Sequence, residues 1–232
     1  MNTNPEIVSR RNRPAKAPLS RDVIVSTALD ILEREGAAGL SLRRVATALD
    51  TGAASLYVYL SNLDDLHALM LDAALAAVKL PEARGLPWRT RLKKLLASYL
   101  QVLFDRRGLA QIALATIPCG PNTLRIWEAL LGLLKEGGVD GVKAAWGVDL
   151  LTLYVTAIAA EQSIREGDQA LARACGVLSA VSAEEFPLLF AARTNLLSGG
   201  GEARGAWALD VIIDGIVGGT SPKAAKRRRR VK

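Results

Sequence analysis

Leu40-Ser41-Leu42-Arg43-Arg44-Val45-Ala46-Thr47-Ala48-Leu49, then Asp50-Thr51-Gly52, then Ala53-Ala54-Ser55-Leu56-Tyr57-Val58-Tyr59-Leu60 is the stretch on which the fold turns. Ser41 is a helix start signal. Leu42, Val45, Ala46 and Leu49 share one face at helical spacing, with Arg43 and Arg44 on the other. Asp50-Thr51-Gly52 breaks that pattern, and a further short helix is expected from about Ala53 to Leu60. Two short helices joined by a three-residue break with a glycine have helix-turn-helix spacing, in which the second helix enters the major groove of DNA. Val45, Ala46 and Leu49 would pack inward on Leu56 and a preceding helix. Ser41, Arg43, Arg44, Ala53, Ser55, Tyr57 and Tyr59 are left outward, all but Ala53 able to donate hydrogen bonds. An ordinary helical hairpin with a solvated polar face fits the same periodicity.

The flanking sequence is helical on both sides. Upstream, Ser20 is a plausible N-cap, Asp22 lies in the first turn, and Val23, Ala28, Ile31 and Leu32 form an apolar stripe that Gly36 ends. Downstream, a fourth helix starts near Asn62 and runs through Leu66, Met70 and Leu75 toward Val78, with Asp64 and Asp65 in its first turn. Residues 81–87 read as a linker. Longer helices are expected at Trp88–Arg106, Leu109–Ile117, Asn122–Glu136, Asp140–Arg165 and Glu202–Val217, with a poorly bounded region at Asp168–Leu197 that Pro187 interrupts. No strand-like alternation or internal repeat is evident. The fold class is all-α: a small N-terminal three-helix unit followed by a larger helical bundle, with expected divisions at 1–18, 19–66, 67–221 and 222–232.

Composition narrows the class further. The 232 residues are 50% hydrophobic and 23% charged, which excludes collagenous and disordered chains. The longest uncharged stretch, Gly108 to Leu124, has 17 residues and is broken by Pro118, Gly120 and Pro121, so no membrane span is expected. No export signal stands at the N-terminus. Cys119 and Cys175 lie far apart and read as small core residues of a cytoplasmic protein. The net charge is +7, of which residues 222–232 hold +7 and residues 1–18 hold +3. Subtracting those ends from the total leaves −3 for the body. Two basic ends on an acidic body suit a polyanion, because each lysine or arginine placed on a phosphate releases a counterion. Solvated tails that aid solubility account for the same charge pattern.

The run Leu40–Leu49, the segment Ser55–Leu60, Asn62 and the Asp65-Leu66 pair together resemble the DNA-binding domain of the tetracycline-repressor family, specifically over residues 19–72. Ala145–Leu151 and Leu209–Gly215 are similar, more loosely, to helices of that family's regulatory domain. The resemblance implies a one-component repressor: a homodimer that binds a palindromic double-stranded operator and releases it when a small molecule occupies the C-terminal domain. It also implies roles for individual residues. Ser41 caps the second helix and touches a phosphate. Arg43 sits where a bidentate contact to guanine can form, and Arg44 contacts a phosphate or reads a second base. Ala53 and Ala54 open the recognition helix and offer at most a contact with a thymine methyl. Ser55, Tyr57 and Tyr59 hold the sugar-phosphate backbone. Two departures stand out: Leu63 replaces a common lysine that grips phosphate, and Asp50 replaces a usual glycine. With two alanines on the recognition helix, the arm bearing Arg10, Arg11 and Arg13 is expected to compensate, as minor-groove arms do.

The C-terminal region offers fewer signals. Trp127, Tyr154, Tyr99, Phe104 and Trp146 are the candidates for an apolar effector cavity, the first three because their polar tips can orient a ligand. Each also reads as plain core. His67 is the only histidine, which argues against a metal-chelated ligand and leaves His67 structural; no cofactor is expected. The helices at Asp140–Arg165 and Glu202–Val217 are, by the resemblance, the four-helix dimer interface. An enzyme is not supported: dinucleotide, Walker and nucleophile-elbow motifs are absent, and Glu161-Gln162 and Glu184-Glu185 have no histidine beside them. The rival readings are a ligand-independent architectural DNA binder and a helical small-molecule carrier with a vestigial DNA unit.

Overall fold

The computed structural model describes residues 18–82, 85–118, 120–164, 169–196 and 198–220. The expected arm arginines Arg10, Arg11 and Arg13, the basic C-terminal tail and Cys119 lie outside them. The described residues form eleven α-helices: α1 Arg21–Glu35, α2 Leu42–Ala48, α3 Ala53–Leu56, α4 Leu63–Leu75, α5 Trp88–Phe104, α6 Leu109–Ala115, α7 Pro121–Glu136, α8 Gly141–Ile164, α9 Gln169–Ser179, α10 Pro187–Leu196 and α11 Gly201–Gly218. A single 3₁₀ turn, Ala37–Gly39, links α1 to α2.

Local chemistry sets most of these boundaries. The Ser20 hydroxyl accepts from the Val23 amide at 3.2 Å and starts α1, which Gly36 ends at a φ of 73°. Asn62 caps α4 by accepting from the Asp65 amide at 2.8 Å, while the Asp65 carboxylate accepts from Ser61 N at 2.9 Å. That reciprocal pair satisfies two backbone donors at one helix start. Pro187 opens α10 rather than merely interrupting a helix, because a first-turn position needs no amide hydrogen. The third helix is shorter than expected. It stops at Leu56, and residues 57–59 continue as turns in which Tyr57 N donates to Ala54 O and Tyr59 N to Leu56 O.

One contiguous core joins α1 to α8 and α11. Ile24, Ala28, Ile31 and Leu32 of α1 meet Val45, Leu56, Leu66 and Met70, and the core continues through Leu92, Leu95, Leu130 and Leu151. The expected division at 66/67 falls within α4, a continuous helix that packs on α1 and also on α6 and α7. A second link is Gly108, where a side chain's first carbon would lie 3.0 Å from Leu32 Cδ1 and 3.2 Å from Ala37 N. Its φ of 80° and that close approach together favour glycine there.

The helix α8 is by length and composition able to cross a membrane. It carries Lys143, Asp149 and Glu161, however, and packs against α5, α6, α7 and α11 in the body. Ala144, Val148, Leu151, Val155 and Ala159 supply its buried stripe. The α9–α10 pair packs sparsely, and Cys175, expected in the core, is exposed on α9. Among the described residues α10 is the main helix packed against α9, which leaves that face uncovered.

Candidate nucleic-acid interface and effector cavity

The turn between α2 and α3 is a Schellman motif. Thr51 N donates to Ala46 O at 2.9 Å and Asp50 N to Thr47 O at 3.0 Å, with Asp50 left-handed at φ 48°. Asp50 is thus the one non-glycine residue with positive φ among the described residues, at the position where the sequence departs from glycine. Val45 and Ala46 are buried and Leu56 is fully so, which locks α2 and α3 together against α1.

The exposed face carries the chemistry. Ser41 caps α2, its hydroxyl accepting from the Arg44 amide at 3.1 Å. Arg43 is exposed and, among the described residues, no partner engages its guanidinium. Arg44 is different: its guanidinium grips the Glu35 carboxylate at 2.6 and 3.1 Å. This pairing holds the Glu35 carboxyl below its ordinary range and raises the Arg44 guanidinium, chiefly through the hydrogen bonds themselves. The two adjacent arginines, alike in sequence, are therefore a free cation and a paired one.

The expected recognition residues separate in the same way. Ala54 and Tyr57 are exposed, Tyr57 at 58%, while Ala53 and Ser55 are half-buried. Tyr59, expected on the sugar-phosphate backbone, donates its hydroxyl to Leu19 O at 2.7 Å, and Arg21 donates to Tyr59 O at 3.1 Å. Its geometry makes it a brace between the recognition segment and α1. Val58, which the sequence reading passed over, is 80% exposed beside Tyr57. Its position two residues from both Leu56 and Leu60, each turned inward, was the available signal. Leu63 packs against the core at the start of α4, where a lysine would have stayed in solvent.

A cavity of about 250 Å³ opens between α4, α5, α6, α7 and α8. Tyr99 and Trp127 line it, together with Leu75, Thr123, Asp149 and Thr156. Tyr99 is buried and its hydroxyl lies 3.2 Å from Thr156 Oγ1; burial raises the phenol above its ordinary value. The other three candidates are elsewhere. Phe104 is 46% exposed at the end of α5, because it follows the buried Leu103 out of the core stripe. Tyr154 faces a separate cleft beside the Gly199–Gly201 loop, and Trp146 an exposed groove between α8 and α11. Three helical faces of α8 serve three different surfaces, which periodicity could not separate in a helix with apolar residues on every face. His67 is half-buried on α4, where burial lowers its imidazole and Asp64 partly opposes the shift.

The cavity and the helix-turn-helix unit are joined by a seam that the sequence reading missed. The buried Asp72 carboxylate on α4 accepts from Thr123 N at 2.8 Å, Thr123 Oγ1 at 2.9 Å, Asn122 Nδ2 at 3.1 Å and Asn122 N at 3.3 Å. It thereby caps the N-terminus of α7. In return Arg125 of α7 donates to Leu75 O, Ala76 O and Val78 O at 3.0, 2.8 and 3.1 Å, capping the end of α4. Gly120 makes room, since a side chain there would begin 2.0 Å from the Asp72 carboxyl carbon. The signals were present: Asp72 interrupts an apolar run, and Arg125 ends the longest uncharged stretch.

A braced helix-turn-helix with a free arginine, joined through one shared helix to a cavity-bearing bundle, defines a DNA-binding regulator of the one-component class. A family model described as "Tetracyclin repressor-like, C-terminal domain" matches residues 80–218. The chain belongs to the tetracycline-repressor family of transcriptional regulators. Apo ActR from Streptomyces coelicolor is 39% identical, with a TM-score of 0.81 over 88% of this chain and 98% of that one. ActR in complex with actinorhodin is 38% identical at a TM-score of 0.79, covering 90% and 100%. An HTH-type transcriptional regulator of Saccharopolyspora erythraea is 33% identical over 67% of this chain. This chain spans 66% of that relative's length.

Proposed function

We propose that the protein is a cytoplasmic, ligand-responsive transcriptional repressor, not an enzyme, that binds a palindromic operator as a homodimer and releases it when a small molecule fills the α4–α8 cavity. Residues 19–66 serve as the DNA-binding unit and residues 67–221 as the effector and dimer unit. The observation that carries this reading is the α4–α7 seam. Leu75 and Thr123 line the cavity while Asp72 and Arg125 bind the same two helices to each other. The α3 segment is followed within a few residues by the N-cap of α4. A ligand that shifts α7 is thus transmitted through α4 to the recognition segment.

Arg43 reads a base while Ser41 and Tyr57 fix the protein on the backbone, with Val58 and Ala54 available for thymine methyl contact. The arm with Arg10, Arg11 and Arg13 adds minor-groove or phosphate contacts. ActR in complex with actinorhodin supports the small-molecule half of the reading. A dimer is expected through α8 and α11, where Trp146, Leu150, Trp207 and Val211 are exposed. The test is a footprint and mobility shift on the protein's own promoter. Arg43→Ala is expected to weaken the specific complex by roughly 1–3 kcal/mol and leave random-DNA binding nearly unchanged. Equal losses on both DNAs would support an architectural binder instead, and no sequence-selective complex would support a carrier.

A further inference from the structure

The charge on the cavity wall and the acceptors beside it bear on which ligands it can hold. The Thr123 hydroxyl donates to Asp72 at 2.9 Å and so turns only lone pairs to the cavity. Thr152 does the same, donating to the Val148 and Asp149 carbonyls at 2.9 and 3.1 Å. One hydroxyl hydrogen of the Tyr99–Thr156 pair is used between the two residues, and the other, the Thr116 hydroxyl and the Trp127 indole N–H are the remaining side-chain donors of the described lining. Asp149 is the one charged side chain among the described lining residues, and no cation of the described protein pairs with it. The remaining wall is mostly aliphatic, beside the half-buried indole of Trp127.

Resting on the effector-cavity reading above, we infer that this cavity selects hydrophobic ligands that carry a protonated amine, with Asp149 as counter-ion, and discriminates against carboxylic acids. An ammonium group brings three donors to a site that offers acceptors, and its charge is favoured both by the carboxylate and by an aromatic face. A ligand carboxylate would bring a like charge to Asp149.

Three fluorescent probes that share one ring system test this at neutral pH: 1-pyrenemethylamine, 1-pyrenemethanol and 1-pyrenecarboxylic acid, titrated against the full chain. The ammonium is expected to bind about tenfold tighter than the alcohol, and the acid weakest of the three. Asp149→Asn, at an exposed position, should retain the wild-type circular dichroism spectrum and shrink the ammonium-to-alcohol ratio to about twofold. Binding of the acid as tight as that of the ammonium, or an unchanged ratio in Asp149→Asn, would overturn the charge preference alone. Should all three probes bind and Trp127→Ala leave every affinity unaltered, the probes sit elsewhere and the effector-cavity reading fails with the preference. Failure of all three to bind overturns both as well.

Discussion

Replacing Asp72 with asparagine keeps the shape of the side chain and removes one acceptor oxygen and the charge. Four donors converge on the native carboxylate: two from Thr123 on Oδ1 and two from Asn122 on Oδ2. An asparagine can serve only one of those pairs, and its amide hydrogens then point at the donors of the other. Leaving a buried donor without a partner costs roughly 1–3 kcal/mol, and losing an anion at a helix N-terminus a further 0.3–1 kcal/mol or so. The Asn122 donors are only part-buried and regain water, so the expected net loss is about 2 kcal/mol. Urea denaturation followed by tryptophan fluorescence measures it. The second arm of the seam supplies a check: Arg125→Met should cost about 1–2 kcal/mol and couple to Asp72→Asn by more than 0.5 kcal/mol, because both changes act on the same helix pair. A loss below about 1 kcal/mol in Asp72→Asn, with strictly additive double-mutant behaviour, would refute the reciprocal-cap account of the seam.

Three further outcomes are expected. Glu35→Ala releases the Arg44 guanidinium, so random-DNA binding tightens and the slope of log K against log salt steepens by roughly 0.9; an unchanged slope would show that Arg44 reaches DNA while still paired or not at all. Leu56→Ala, at a position with no exposure, should destabilise the fold by about 2–5 kcal/mol in thermal or urea unfolding, and a loss near zero would mean that α2 and α3 are not locked by this residue. For Tyr99 the folded phenol titrates above its unfolded value of about 10, so its contribution is present below that pH and is lost as the pH rises through the raised folded value. Tyr99→Phe should therefore flatten the alkaline decline of stability measured by denaturation across that window, and an identical decline in both proteins would contradict a buried phenol.

Much of the DNA-facing half is readable from the linear chain because its cues are local. A serine three residues before the amide it caps, an apolar stripe at helical spacing and an aspartate in the left-handed turn act within a few residues. The Asn62 start of α4 and the Gly36 end of α1 are of the same kind. The cavity residues are less legible. Of five aromatic candidates, Tyr99 and Trp127 line the α4–α8 cavity while Tyr154 and Trp146 line separate clefts, since the outcome depends on which neighbour covers which face of α5, α7 and α8.

By itself the sequence determined the all-helical class and most helix boundaries, because capping, turn geometry and periodicity are properties of short segments, and its resemblance to the family pointed to the helix-turn-helix and the odd Asp50. Only the tertiary structure decided that Arg43 is free while Arg44 is held by Glu35, that Tyr59 braces Leu19, and that Asp72 and Arg125 fasten α4 to α7. Those outcomes depend on side chains 9, 40 and about 50 positions apart meeting in space. Identical residue types acquire different roles according to which partner the packing brings within hydrogen-bond reach.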